Sequence, residues 1–236
     1  MPQQLILEWA REAAPAFDNF LVGSNGEVVA HLRALAAGEL KDTSVLAWGA
    51  PGSGKSHLLA AVLAQARAAS RMAIAVDIEK EQPASVAAGA LYALDDIDTL
   101  SAAAQGRLFT LYNICRDGGA QLLLTARVPP AQAPLRDDLR TRVGWGLVLE
   151  LKPLTDADKP AALAAYARER GFHLNNEVID FLLTRGRRDM GALLSTLRAL
   201  DRYSLSTKRP VTIPLVKELL QPDLLQSADN GIANTR

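Results

Sequence analysis

The chain has 236 residues, 49% of them hydrophobic, and its 26 basic and 26 acidic side chains cancel at neutral pH. That apolar content belongs to a globular chain, and neutrality removes any bulk electrostatic reason to coat DNA or an anionic membrane. One cysteine, Cys115, excludes a disulfide framework, no apolar run reaches transmembrane length, and the N-terminus lacks a signal-peptide pattern, so a reducing, cytoplasmic location is expected.

The chain opens on MPQQLILEW, with Leu5, Ile6, Leu7 and Trp9 at a terminus where chains usually fray. Read as an extended strand, Leu5, Leu7 and Trp9 share a face just after Gln4. Read as a helix, Leu5, Ile6, Trp9 and Ala13 form a face that would pack on a core. Ser24 with Glu27 makes a capping box ahead of Val28, Val29, Leu32 and Leu35 at helical spacing. Ser44–Trp48 reads as a buried strand, followed by a glycine-rich turn and an alanine/leucine helix over Ser56–Ala69. Further strands are expected at Met72–Ile78, Leu91–Leu94, Gln121–Thr125 and Leu147–Leu151, and a helix over Leu108–Cys115 stops at Gly118-Gly119, with Cys115 a buried core thiol. Strands alternating with helices predict a five-stranded parallel sheet with helices on both faces.

After Pro153 the pattern turns helical. Thr155 with Asp158 opens one helix that Gly171 closes, with Pro160 shifting or kinking its start. Asn175 or Asn176 caps a second that ends near Gly186, and a third runs from Arg188 to about Tyr203. Val211–Ile213 leads into Pro214, placed to start a last short helix. This gives four regions: a flexible N-terminal peptide (1–12), an α/β core (13–153), a helical lid (154–222) and a disordered polar tail (223–236).

Gly49-Ala50-Pro51-Gly52-Ser53-Gly54-Lys55-Ser56 fits the Walker A pattern. Glycines let backbone N–H groups turn inward around phosphate oxygens, and the helix that follows offers the same anion its positive end. Lys55 would reach the β- and γ-phosphates, and Ser56 would offer a hydroxyl to Mg²⁺. Leu91–Leu94 ends in Asp95 and Asp96 at the carboxyl edge of the sheet, like a Walker B strand. Asp95 would hold Mg²⁺, and Asp96 would orient the attacking water. His31, His57 and His173 share no metal-ligand spacing, and Trp48 and Trp145 read as core or interface packing residues.

With both motifs placed, the chain resembles the AAA+ ATPases of the DnaA clade. Phe17-Asp18-Asn19-Phe20-Leu21-Val22-Gly23 is similar to the adenine-contacting segment of that family, with Val22 and Gly23 at the adenine. Gly54-Lys55-Ser56-His57-Leu58-Leu59 resembles its Walker A helix start, which adds His57 to the nucleotide site. Leu139-Arg140-Thr141-Arg142-Val143-Gly144-Trp145-Gly146 resembles its arginine-finger segment. Arg188-Asp189-Met190-Gly191-Ala192-Leu193 resembles its sensor II helix, although Arg185 and Arg187 crowd near Arg188. Thr212 to Glu218 resembles its closing segment. The resemblance implies an AAA+ P-loop core with a small helical lid that binds ADP or ATP with Mg²⁺. DnaA itself carries a further helix-turn-helix domain, and the chain is expected to end before one, like the Hda family.

Within that family the resemblance implies docking on the DNA-loaded sliding clamp (the beta subunit of DNA polymerase III) and promoted hydrolysis of ATP held by DnaA. Gln4, Leu5, Leu7 and Trp9 resemble the clamp-binding peptide. Arg142 would act as a finger in trans; by its neighbourhood alone, Asp137-Asp138-Leu139-Arg140, it reads as a surface or salt-bridged arginine. Thr125-Ala126-Arg127 stands where relatives tend to carry a polar residue and then an acid, so Thr125 keeps a hydroxyl for the γ-phosphate. The missing acid implies weak or no autonomous ATPase. Neither strong direct DNA binding nor membrane binding is expected, and self-association stays open. Two other function classes share a P-loop. A helicase-loader-like ATPase needs a basic, aromatic groove for single-stranded DNA, which net neutrality disfavours. A small-molecule P-loop kinase needs an acceptor pocket and a matching lid.

Overall fold

The computed structural model describes residues 14–81, 84–185, 190–207 and 210–217. The N-terminal peptide with Gln4, Leu5, Leu7 and Trp9, the sensor II candidate Arg188, and the polar tail all lie outside these residues.

Five strands form one parallel sheet: β1 (Ser44–Trp48), β2 (Ala73–Ala75), β3 (Leu91–Leu94), β4 (Gln121–Ala126) and β5 (Leu147–Glu150). Their spatial order is β2-β3-β4-β1-β5, with Leu94 beside Leu124 and Trp48 beside Ala126. Side chains alternate between the two faces. On one face Val45, Leu91, Ala93 and Leu123 pack with α1 (Gly26–Ala37) and α2 (Lys55–Ala68). On the other, Leu46, Tyr92, Leu122 and Leu124 pack with α3 (Ala102–Gly118) and α4 (Asp137–Trp145). Cys115 lies in this second layer, where burial pushes its thiol up to about 12 and leaves it inert.

Several boundaries differ from the expectations above. The Ser24–Glu27 capping box does not form. Asn25 takes the N-cap position, and its side chain bonds the backbone N–H and C=O of Lys152, both at 2.8 Å. The second strand is only three residues long, at the sheet edge, where one flank has no ladder to extend it. The third helix starts at Ala102, because the Ser101 hydroxyl caps it by accepting from the Ala104 N–H at 3.2 Å. Gly119, at φ 68°, ends it.

The chain divides at residue 154, with Ala13–Leu154 in one unit and Thr155–Arg236 in the other. In the second unit α5 (Lys159–Glu169) packs on α6 (Asn176–Arg185) and α7 (Met190–Thr207). Leu163, Val178, Leu182, Leu197 and Leu200 are buried. Pro160 falls in the first turn of α5, where its missing N–H has no intrahelical partner to lose, so the helix is not broken. Asn175 caps α6 by accepting from the Val178 N–H at 2.9 Å. Residues 213–217 form the short closing helix. Among the described residues no helix is long and apolar enough to cross a membrane.

Candidate functional site

The loop after β1 lies at the point where the strand order reverses, between β4 and β5, the edge at which open α/β sheets bind ligands. Gly49 donates its N–H to the Ala126 carbonyl at 3.1 Å, tying the loop to the end of β4. A Cβ on Gly49 would meet the Leu151 carbonyl at 2.2 Å, so only glycine fits. Gly52 and Gly54 take φ 79° and 98°, the left-handed region that glycine tolerates. Lys55 is buried at the start of α2 and donates to the carbonyls of Gly49 (2.8 Å) and Ala50 (3.2 Å). The buried hydroxyl of Ser53 has no hydrogen-bond partner among the described residues. An orphaned donor in a glycine cradle, beside a buried ammonium and a helix N-terminus, has the chemistry of a phosphate site. Ser56 follows and is exposed.

Phe20 lies over Gly54, whose Cβ position is 2.6 Å from the Phe20 ring. The Phe20 and His57 rings pair at 5.6 Å. Nε2 of His57 lies 2.9 Å from the Ala16 carbonyl, an acceptor, so this nitrogen carries the proton. The 3₁₀ turn Phe17–Asn19 is thus strapped to the start of α2 by a contact whose histidine carried no such signal in the sequence. Val22 is partly exposed, and Gly23 turns at φ 48° against Leu154.

At the ends of β3 and β4 the acids converge with the threonine. The Thr125 hydroxyl donates to Asp95 Oδ1 and accepts the Asp96 N–H at 2.8 Å. Asp96 adopts a left-handed backbone (φ 48°, ψ 51°), and its Oδ2 receives the Arg127 guanidinium at 3.3 Å. The sequence signal for this pairing is an arginine two residues beyond Thr125. Ala126, between them, is fully buried in the apolar layer under α3 and α4.

Arg142 stands on α4, a helix the pattern did not reveal. Asp137 pairs with Arg140 and Asp138 with Arg136, so the local acids are taken by other arginines. Arg142 instead donates to Asn113 on α3 and stacks on Phe109, 4.5 Å from the ring centroid. Trp145, 5.9 Å from the same guanidinium, is 68% exposed and so is not a core residue.

Residues 156–220 match the family described as Hda, lid domain. An uncharacterized Haemophilus influenzae protein is 35% identical over 230 residues, covering 93% of this chain and 99% of the relative. The chain belongs to the Hda-like, DnaA-related AAA+ proteins. Domain III of Thermotoga maritima DnaA superposes on this Hda-like chain with a TM-score of 0.71 at 23% identity, over 88% of this chain and 95% of that one. AMPPCP-bound DnaA from Aquifex aeolicus gives 0.67 at 20%, over 93% and 73%. Thermotoga maritima RuvB gives 0.64 at 18%, over 88% and 71%. At these identities the solved structures establish the AAA+ fold.

Proposed function

We propose that this Hda-like chain regulates replication initiation by binding ADP or ATP and acting on the nucleotide held by DnaA. The observation that carries the nucleotide reading is the cradle itself: Gly49, Pro51, Gly52, Ser53 and Gly54 around a buried Lys55, with the orphaned Ser53 hydroxyl inside it. Val22, Gly23 and His57 would border the base, and the resemblance adds Arg188 as a nucleotide contact. Among the described residues, no cluster of three or more His, Cys, Asp or Glu could hold a metal. Mg²⁺ would therefore arrive with the phosphates, contacted by Ser56 and Asp95, as is usual for this ion. It would neutralise charge on the phosphates; Asp96 would orient water and Thr125 would fix the Asp95 carboxylate.

Arg142 would supply positive charge to DnaA-bound ATP in trans, and Gln4, Leu5, Leu7 and Trp9 would dock on the sliding clamp. The regional reading of peptide (1–12), core (13–153), lid (154–222) and tail (223–236), in the cytoplasm and with little DNA affinity of its own, goes with this function. The test is hydrolysis of DnaA-bound ATP with and without this protein and DNA-loaded clamp. Stimulation is expected only with all components present, and deletion of residues 1–9 should remove clamp binding. Single-stranded DNA binding or phosphorylation of a metabolite, without stimulation, would replace this function with one of the other two classes.

A further inference from the structure

We infer that Arg127 is a positioning residue that holds Asp96 away from its water-orienting role and so keeps the chain's own ATP hydrolysis slow. The inference rests on the proposed nucleotide site, but not on any partner. Asp96 is fixed from several sides. Its N–H bonds Thr125, and its carbonyl accepts both the N–H and the hydroxyl of Thr99, at 3.0 and 2.8 Å. Its left-handed backbone is a conformation that only Ser70 shares among the described non-glycine residues. Such strain in a non-glycine residue persists where the surroundings over-determine it. With the backbone held, the guanidinium on Oδ2 fixes the carboxylate. Arg127 is itself anchored, its N–H donating to Asp98 Oδ1 at 3.2 Å.

In hydrolysis a water oxygen bonds the γ-phosphorus, the bridging P–O bond breaks with its electron pair going to ADP, and of the two water protons one stays on inorganic phosphate and the other passes to solvent. A carboxylate that orients this water must accept a hydrogen bond from it, and an oxygen already receiving a guanidinium competes for that bond. Both side chains are about half exposed, 49% for Arg127 and 39% for Asp96. The pair is therefore a weak, reversible restraint.

The experiment is single-turnover hydrolysis at saturating ATP and Mg²⁺ with the full chain, alongside ATP affinity by calorimetry. R127Q should hydrolyse about five-fold faster than the native chain with ATP affinity unchanged, the scale set by an exposed ion pair. R127K, which can still pair, should stay near the native rate. In a D96N background the R127Q gain should vanish, which a merely structural role would not produce. Equal or slower hydrolysis by R127Q, loss of its ATP binding, or a gain that survives D96N would each overturn the inference. ATP binding by K55A as tight as the native chain's would instead remove the nucleotide site beneath it.

Discussion

The guanidinium of Arg142 stacks on Phe109, 4.5 Å from the ring centroid, and donates to Asn113 Oδ1. The arginine proposed to act in trans is thus seated on its own α3. A partly buried cation–π contact is worth about 0.5–2 kcal/mol and a hydrogen bond from a charged donor about 1.5–3 kcal/mol, whereas an arginine finger is a separate rate effect of about 10³-fold or more. Arg142→Ala should lose about 1–3 kcal/mol in urea unfolding and keep ADP affinity. The same variant should fail to stimulate DnaA-bound ATP hydrolysis. Retained stimulation would move the finger role to Arg140.

Lys55 donates to two loop carbonyls, Gly49 and Ala50, from a buried position. Phosphate oxygens would compete for the same ammonium, and only the backbone donors and the Ser53 hydroxyl would remain if it were removed. Lys55→Ala should weaken ADP binding at least about 100-fold, the scale of losing a charge-assisted contact in a desolvated site. Calorimetry reads this directly, and an unchanged affinity would end the P-loop reading.

Gly49 and Gly26 form a matched pair for backbone sterics. A Cβ at Gly49 would overlap the Leu151 carbonyl at 2.2 Å, whereas at Gly26 it would meet nothing within 4 Å. Gly49→Ala should therefore destabilise by about 2 kcal/mol or more, because backbone must move. Gly26→Ala, in the first turn of α1, should stabilise by about 0.4–1 kcal/mol through the unfolded chain. Chemical denaturation of both variants checks the pair; equal effects would contradict the loop geometry.

How far the sequence reveals this architecture differs by element. β1, β3 and their flanking motifs are legible because buried parallel strands read as short apolar runs and the phosphate loop has a strict residue pattern. α4 is not: Asp137 to Trp145 carries four charged residues and only two buried ones, Leu139 and Val143, so it has little apolar periodicity. The cap of α1 is misread because Asn25 is claimed by a tertiary contact to Lys152, 127 positions away, which no local rule contains. The Arg127–Asp96 pair escapes for the same reason, since it joins the ends of two strands 31 residues apart. The residue types of the phosphate site could be read from spacing; which charges neutralise one another could not.

Asp201 on α7 offers a test of the lid by pH. Its side chain is buried, Oδ1 has no hydrogen-bond partner among the described residues, and Oδ2 lies 4.0 Å from the Arg170 guanidinium. Burial pushes this carboxyl above its ordinary range, while Arg170 and Arg202 pull the other way. A folded-state pKa above the unfolded value means that the native state holds the proton more tightly. Asp201 thus contributes stability at low pH, and that contribution is lost as pH rises from the unfolded value through the raised one. Once ionised, the carboxylate sits in a site that disfavours charge. Asp201→Asn should therefore raise the lid's Tm at neutral pH, and the advantage should shrink as pH is lowered through the raised folded value, where the native carboxyl protonates. Calorimetric scans across that range decide it: a lower Tm for the variant at pH 7 would mean that attraction to Arg170 outweighs burial.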